Sequence, residues 1–305
     1  MTAIDINRGT SNVLLPAEVS SEIWAKVLEE SAFMQLARQI RMPGPGVDIQ
    51  TITGEPVASW VAETAAKPVS VHTFGKKVVR PFKLAVIEMF SEEFKRDKAG
   101  LYAECIRRTP KALANKFDST IMGTVPPGTG FDVLGSCQKI SLNPGAGETV
   151  YGKFIEVDAA IADAGGTMTG VALAPKGKSK VLAAVDGQGR PLFTPGVGSN
   201  TVGNILGAPV SITKGVYVPG TEEAAAIVGI AGDFDDAVWG SVEGIKMSMS
   251  DQATLTLEDS STVSMFQNNM IAVRFEIEVA FAVRSADEFV LLTGDTGTST
   301  TTAGA

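Results

Sequence analysis

The stretch from Ser91 to Gly123 predicts one helix of unusual length, and a rod of that size dictates an elongated fold around it. Ser91 stands as N-cap, and Glu92 and Glu93 fill the first turn, where carboxylates meet the positive end of the helix dipole. Gly123 is the stop. Phe94, Leu101, Cys105, Leu113, Phe117 and Ile121 recur near multiples of four and form a stripe along one face. At about 1.5 Å per residue the helix would span roughly 48 Å. Pro110 falls in its middle and should kink it, because the ring removes an amide donor and crowds the preceding turn. Such a helix also suits the interior of an α/β enzyme, so the flanks must decide between architectures.

Both flanks are extended. From Val47 to Met89 the pattern has period two: Val47, Ile49 and Thr51 alternate with polar neighbours, and Val78, Phe82, Leu84 and Val86 do so later. This predicts a long two-stranded arm with its tip at Glu63 to Ser70, where Lys67 and Pro68 interrupt the strands. A lone hairpin is marginal in water, so the arm predicts a partner that covers it. Far downstream, Val273, Phe275, Ile277, Val279, Phe281 and Val283 alternate with Arg274, Glu276 and Glu278, and Arg284 follows the last of them. The strand from Ile271 to Val283 would be roughly 43 Å long, against a usual five or six residues.

The rest falls into shorter pieces. Met1 to Ser11 is polar and predicts a mobile arm; Pro16 opens a short helix with Val19, Ile23, Val27 and Leu28 on one face. Ser31 to Ile40 continues with weaker periodicity into the break at Pro43, Gly44, Pro45 and Gly46. Loops are expected at Pro126 to Gly130 and Asn143 to Gly147. Tyr151 to Ala164 predicts a helix with Phe154, Val157 and Ile161 inward, Gly170 to Ala174 a buried strand, and Pro175 to Val185 a second helix ended by Asp186 to Gly189. These alternate as a compact α/β module around a small sheet holding Gly207 to Thr213, Ala224 to Ala231 and Val238 to Ser248. The Thr- and Gly-rich tail from Gly294 is expected to be disordered.

Composition excludes several partners. With 305 residues and 44% hydrophobic content the chain can bury one large core or two to three smaller ones. A net charge of -8 without a basic stretch argues against a grip on phosphate backbones. Cys105 and Cys137 make no disulfide framework, so a reducing compartment is the default. Val13 to Leu15 is too short for a signal core, and the longest apolar run, Ala224 to Ala231, falls well short of the ~20 residues of a membrane span. The expectation is a protein that stays in the cytoplasm where it is made, with no membrane partner.

Several short stretches, in this order and spacing, resemble the major capsid proteins of tailed bacteriophages with the HK97 fold. They are Ala58-Ser-Trp-Val-Ala-Glu63, Lys67-Pro68 and Phe74 in the arm; Ser91-Glu92-Glu93-Phe94; Asp118 with Gly123; Asp132-Val-Leu-Gly135; Ile205-Leu-Gly-Ala-Pro-Val210; Gly232-Asp233; and Phe266-Gln-Asn-Asn-Met270. The likeness runs from Leu14 to Thr293. It implies an α+β fold: an N-terminal arm and short helix (1–45), an E-loop hairpin (46–90), a peripheral domain with the spine helix (91–148), an axial domain (149–235), a return to the peripheral domain (236–293) and a tail (294–305). It further implies hexamers and pentamers closing into an icosahedral shell around double-stranded DNA, held without sequence-specific binding. The negative charge suits a container that must release its contents. Implied partners are further copies of the chain, a portal protein, a scaffolding protein and, in some relatives, a decoration protein. Only about a dozen residues precede Leu14, so scaffolding is expected to be a separate protein unless the chain has been trimmed. Assembly in the host cytoplasm and residence in the virion capsid follow.

In the founding member of that family an arm lysine joins a neighbour's asparagine with loss of ammonia, helped by a glutamate. Matched residue by residue, Lys67 before Pro68 takes the lysine position, Asn269 before Met270 the asparagine position and Glu276 the glutamate position. A lysine must be deprotonated to act as a nucleophile, and a partly buried carboxylate can take its proton. The plainer alternative leaves Lys67 solvated at a tip, Asn269 in a turn and Glu276 ion-paired with Arg274, and the sequence leaves both open. Trp60, Val61, Glu63, Lys67 and Phe74 are the expected contacts between copies.

Enzyme chemistry has little to work with. His72 is the single histidine, which removes a Ser-His-Asp triad and multi-histidine metal sites. Gly147 to Lys153 imitates a phosphate loop, but Phe154 stands where a hydroxyl should hold magnesium. Gly177-Lys178-Ser179 lacks its first glycine, and Gly196-Val-Gly198 lacks the third of a dinucleotide fingerprint. Asp233, Asp235 and Asp236 suit a solvated turn better than a cation site. The sequence therefore predicts a shell protein with no cofactor and no catalytic residues. An encapsulin-like nanocompartment of the same fold is the structural alternative, and a soluble α/β enzyme the alternative of another class.

Overall fold

The computed structural model describes residues 17–53, 58–61, 67, 69, 73–91, 98–145, 148–185, 203–221, 224–257 and 259–296, and its longest strand is the one the downstream alternation demands. In chain order the elements are α1 (Ala17–Glu30), α2 (Ala32–Leu36), β1 (Arg38–Arg41), β2 (Val47–Thr53), β3 (Thr73–Val79), β4 (Phe82–Ser91) and α3 (Lys98–Ile121). Then come β5 (Gln138–Ser141), α4 (Val150–Asp163), β6 (Gly170–Leu173), α5 (Pro175–Leu182), β7 (Val210–Ile212), β8 (Ala225–Gly232) and β9 (Ala237–Ser241). The chain closes with β10 (Lys246–Ser250), β11 (Thr254–Thr256), β12 (Thr262–Ser264), β13 (Met270–Val283) and β14 (Phe289–Thr296).

β13 organises the first sheet. Val273, Phe275, Ile277, Val279, Phe281 and Val283 are buried on one face, while Arg274 is exposed and Glu276 and Glu278 are half-buried on the other. Along one edge β4 pairs with it from Met270↔Ser91 to Val279↔Phe82. Along the other edge β10 and β9 follow in tandem, with Phe275↔Met247 and Phe281↔Trp239, and β1 lies parallel to β9. The helices α1 and α3 cover the inner face: Ile23 and Val27 from α1, Phe33 from α2, and Leu113, Phe117 and Ile121 from α3 are all buried there. The Phe281 ring sits 5.5 Å from that of Phe33 and 6.4 Å from that of Phe117, edge-on in both cases.

The second sheet has the order β5-β14-β8-β6-β7, and its central strands β14, β8 and β6 are buried on both faces. Ile227 and Ile230 of β8, with Phe289 and Leu291 of β14, face the first core. Their alternates Val228, Ala231, Val290 and Leu292 face a second core made with Phe154, Val157 and Ile161 of α4 and Val181 of α5. Burial on both sides is why these strands are near-continuous apolar runs rather than alternating ones. Thr149 caps α4 by accepting the amide of Gly152 at 3.1 Å.

Two polar joints tie the parts together. The Asp118 carboxylate on α3 accepts the Ser31 hydroxyl (2.5 Å), the Ala32 amide (3.0 Å) and the Thr213 hydroxyl (3.1 Å), so one side chain holds the helix α2 N-terminus, the long helix and the segment after β7. Burial pushes its carboxyl up to about 6 from an ordinary 3.8, against the lowering effect of those hydrogen bonds. At the far end Lys180 of α5 donates to Asn143 (2.6 Å) and pairs with Asp295 of β14 (2.9 Å), and Asn143 donates to the same Asp295 (2.8 Å).

Several sequence expectations need correction. Ser91 ends β4, paired with Met270, and the described helix begins at Lys98, while the first turn expected after Ser91 lies outside the described residues. At 24 residues α3 spans roughly 36 Å, and it runs through Pro110 without interruption as a helix. Phe94 and the side chains of Leu101 and Cys105 lie outside the described residues. Phe82, Leu84 and Val86 belong to β4 in the first sheet rather than to the arm. Arg38–Arg41 is a strand, and Val238 to Ser248 contributes β9 and β10 to the first sheet instead of the second. Gly294, Asp295 and Thr296 complete β14. The expected arm at Met1 to Ser11 and the tail beyond 296 lie outside the described residues.

Candidate assembly surface

The arm is the hairpin β2–β3, in register from Val47↔Val79 to Thr53↔Thr73. Its root is fastened to the body. Lys77 donates to the Val283 carbonyl at 2.5 Å and pairs with Asp132 at 2.5 Å, and the Arg80 amide donates to the Gly130 carbonyl at 3.0 Å. Gly46 turns the chain into the arm at φ +97, where an added Cβ would meet the Val79 carbonyl oxygen at 2.4 Å. Beyond the hairpin, Trp60 is fully exposed, and Val61, Lys67 and Val69 are exposed with it. Phe74 pairs with Ile52 in the hairpin, but its side chain lies outside the described residues, as do Glu63 and His72.

A second exposed region lies on the outer face of the first sheet. β4 alternates half-buried and exposed residues along its length, so Ile87 and Met89 point away from the core and stay exposed. Register places Ile87 beside Arg274 and Met89 beside Ala272. There Met249, Ala253 and Leu255 join Ile87, Ala272 and Arg274 in lining a groove of about 200 Å³. Ser248, Ser250 and Arg274 supply its polar lining, and Arg274 is paired with Glu276 at 3.2 Å. A further cleft at the arm root holds charged side chains already engaged with one another, Arg284 with Asp236 (2.8 Å) and Lys77 with Asp132.

The three crosslink candidates occupy separate places. Lys67 is exposed on the arm. Asn269 is exposed in the turn entering β13, at φ +55, a left-handed conformation that asparagine tolerates. Glu276 sits farther along β13, ion-paired with Arg274. From Met270 to Glu276 an extended strand covers roughly 20 Å, so Asn269 and Glu276 of one subunit do not meet.

The enzyme-like motifs are structural where they are described. Asp233 accepts the Thr167 amide (3.0 Å), the Thr169 hydroxyl (3.3 Å) and the Asp235 amide (3.1 Å), which makes it a turn residue. Among the described residues no cluster of three or more metal-ligating side chains occurs, and no helix is long and apolar enough to cross a membrane. Lys153 is taken up by Glu148 and Glu156, each at 3.0 Å, and Gly177 to Ser179 lie inside α5. Gly147 and Gly196 to Gly198 lie outside the described residues. The groove residues Ile87 and Leu255 were absent from the sequence-derived candidates; the alternation of β4 was the one signal for Ile87.

The model of the Phage capsid family matches residues 11–294. The probable major capsid protein gp17 of Mycobacterium phage L5 is 30% identical over 296 residues, spanning 92% of this chain and 89% of that protein. The corresponding protein of Mycobacterium phage D29 is 30% identical over 292 residues with the same coverage. Among solved structures, a chain from Mycobacterium phage Ogopogo superposes with a TM-score of 0.68 at 20% identity, covering 87% of this chain and 92% of that one. A chain from Gordonia phage Cozz gives 0.66 at 20% identity over 88% of both.

Proposed function

The chain belongs to the phage capsid family, as a major capsid protein with the HK97-like fold, and from that premise we propose that its copies join as hexamers and pentamers into an icosahedral shell around double-stranded DNA. The observation that carries this reading is the arm: a hairpin clamped at its root and carrying a fully solvated tryptophan, Trp60, which a lone subunit leaves uncovered. A neighbour in a closed shell covers it. On this reading the axial part at 149–235 gathers around the symmetry axes, with β5 and β14 contributed to its sheet from outside that range. A portal protein, a separate scaffolding protein and a decoration protein are the expected partners. Assembly takes place in the host cytoplasm, and the finished subunit resides in the virion capsid. DNA is held without sequence readout, as the net charge of -8 favours.

If the shell is covalently joined, the bond runs from Lys67 Nζ to Asn269 Cγ of another copy, ammonia leaves, and a Glu276 carboxylate takes the lysine proton. The spacing along β13 requires that this Glu276 come from a different copy than the Asn269. The existing Arg274–Glu276 pair, at 3.2 Å, favours the noncovalent alternative. Electron microscopy of the expressed protein, alone and with a scaffolding protein, tests the shell: closed icosahedral particles or capsomer rings are expected, and only monomers under every condition would overturn it. A denaturing gel of the particles then decides the bond, through a ladder of multimers that disappears in Lys67→Arg.

A further inference from the structure

Lys180, Asn143 and Asp295 close a triangle of side chains at the edge of the second core, and the three groups are those of a reaction as well as of an ion pair. Three separate elements bring them together. The β5–β14 ladder ends at Ser141↔Thr293, the Leu142 amide still donates to the Thr293 carbonyl at 2.9 Å, and one residue further Asn143 reaches Asp295. Lys180 arrives from the last turn of α5, and its stem passes over Gly294, where an added Cβ would come within 3.3 Å of Lys180 Cε. The Lys180 side chain is 24% exposed. An ammonium only donates and a carboxylate only accepts, so the Asn143 carboxamide has one orientation. Its Oδ1 accepts Lys180 Nζ at 2.6 Å, and its Nδ2 donates to Asp295 Oδ1 at 2.8 Å. Asp295 Oδ2 meets the same Nζ at 2.9 Å. A carbonyl bond adds about 1.2 Å at most, so Nζ lies within roughly 3.8 Å of Asn143 Cγ, close to the separation of groups poised to react.

We propose that Lys180 and Asn143 of one chain join as an amide, a modification internal to the subunit and separate from Lys67 and Asn269. Nζ, once deprotonated, bonds to Cγ, and the bond from Cγ to Nδ2 breaks. Asp295 relays two protons from Nζ to Nδ2, its Oδ2 facing the amine and its Oδ1 the nitrogen that leaves. That nitrogen departs as ammonium, Asp295 ends ionised as it began, and neither water nor an oxidant is consumed. Hydrogen bonds from Lys180 and Asn143 hold the Asp295 carboxyl below the usual carboxylate range, which keeps it a charged acceptor. A carboxyl held low is also a weak base, so the join forms slowly and rests on the fixed contact of its two reacting groups. Pro144 follows Asn143 and has no amide hydrogen, so the competing ring closure of asparagine onto the next backbone nitrogen is blocked at this site. Asn143 and Lys180 stand 37 apart in sequence, so the bond closes a loop around α4 and β6 that persists when the chain unfolds.

The test is intact-mass and peptide mass spectrometry of the full chain, as purified subunits and as particles, sampled over days at growth temperature. The joined chain should be lighter by one ammonia, about 17 Da. Trypsin does not cut after an acylated lysine, so the digest should contain a branched product linking 140–153 to 179–214. Full mass throughout, with Lys180 found only in unbranched peptides, overturns the proposal, and so does an ammonia loss that maps to another asparagine. The subunit samples decide the matter whether or not particles form. Lys180→Arg should keep its full mass, and a loss at Asn143 in that variant would overturn the assignment of the amine. Asp295→Asn keeps the shape of the side chain but removes its basicity, and it should slow the join at least tenfold with the far-ultraviolet dichroism unchanged. A wild-type rate in that variant would overturn the relay through Asp295.

Discussion

Phe275 on β13 and Trp60 on the arm are both large aromatic residues of extended segments, but Phe275 is wholly buried and Trp60 wholly solvated. The difference lies in who supplies the covering surface. Phe275 is covered by its own helices, so its burial stabilises the subunit. Trp60 has no cover in its own chain, so its burial can stabilise only the assembly. Body and arm therefore answer to different equilibria, and substitutions should separate them.

The largest effect on the subunit should come from Leu113→Ala, which opens a cavity between α3 and β13 and should cost about 3 kcal/mol in chemical denaturation. Tolerance of that change would undo the packing of the long helix. Asp118 should come next, with a dependence on pH. Its carboxyl titrates near 6 in the folded chain and near 3.8 when unfolded, so protonation favours the folded state. That contribution is full below about pH 4 and fades as pH rises through 6, a change on the order of 3 kcal/mol. The stability difference between wild type and Asp118→Asn should vary with pH across that window, and a constant difference would show that the charge plays no part. Compared with the subunit before any bond forms at Lys180, Lys180→Met should cost less than about 1 kcal/mol and become milder still at high salt, because Asp295 is largely exposed. Trp60→Ala should change subunit stability by under about 0.5 kcal/mol while abolishing or sharply reducing particle formation. Equal losses in both would erase the contrast between arm and body.

What the sequence revealed depended on how local the cause was. β13 was legible to within a residue and α4 nearly so, because strict periods of two and 3.6 are written within each segment. β4 has the same period as the arm strands, and nothing in its own residues says that it pairs with β13 instead of β2. Ser91 shows the same limit of local reading: a serine before two glutamates suits a helix start, and nothing beside it in the sequence says that it also ends β4 against Met270. Asp118 appeared only as part of a resemblance, since its role needs Ser31 and Thr213, which are 87 and 95 residues away in sequence. The exposed arm was foreseeable from its isolated hairpin. The groove was not, because its lining comes from β4, β10, β11 and β13 together.

The strict alternation of β13 writes two independent messages on one strand. Its inward letters, from Val273 to Val283, decide whether the chain folds, while its outward letters, Arg274, Glu276 and Glu278, are free of that duty. A lineage can therefore rewrite the outward set, and with it which surfaces attract or repel between copies, without risking the spelling that holds each copy together.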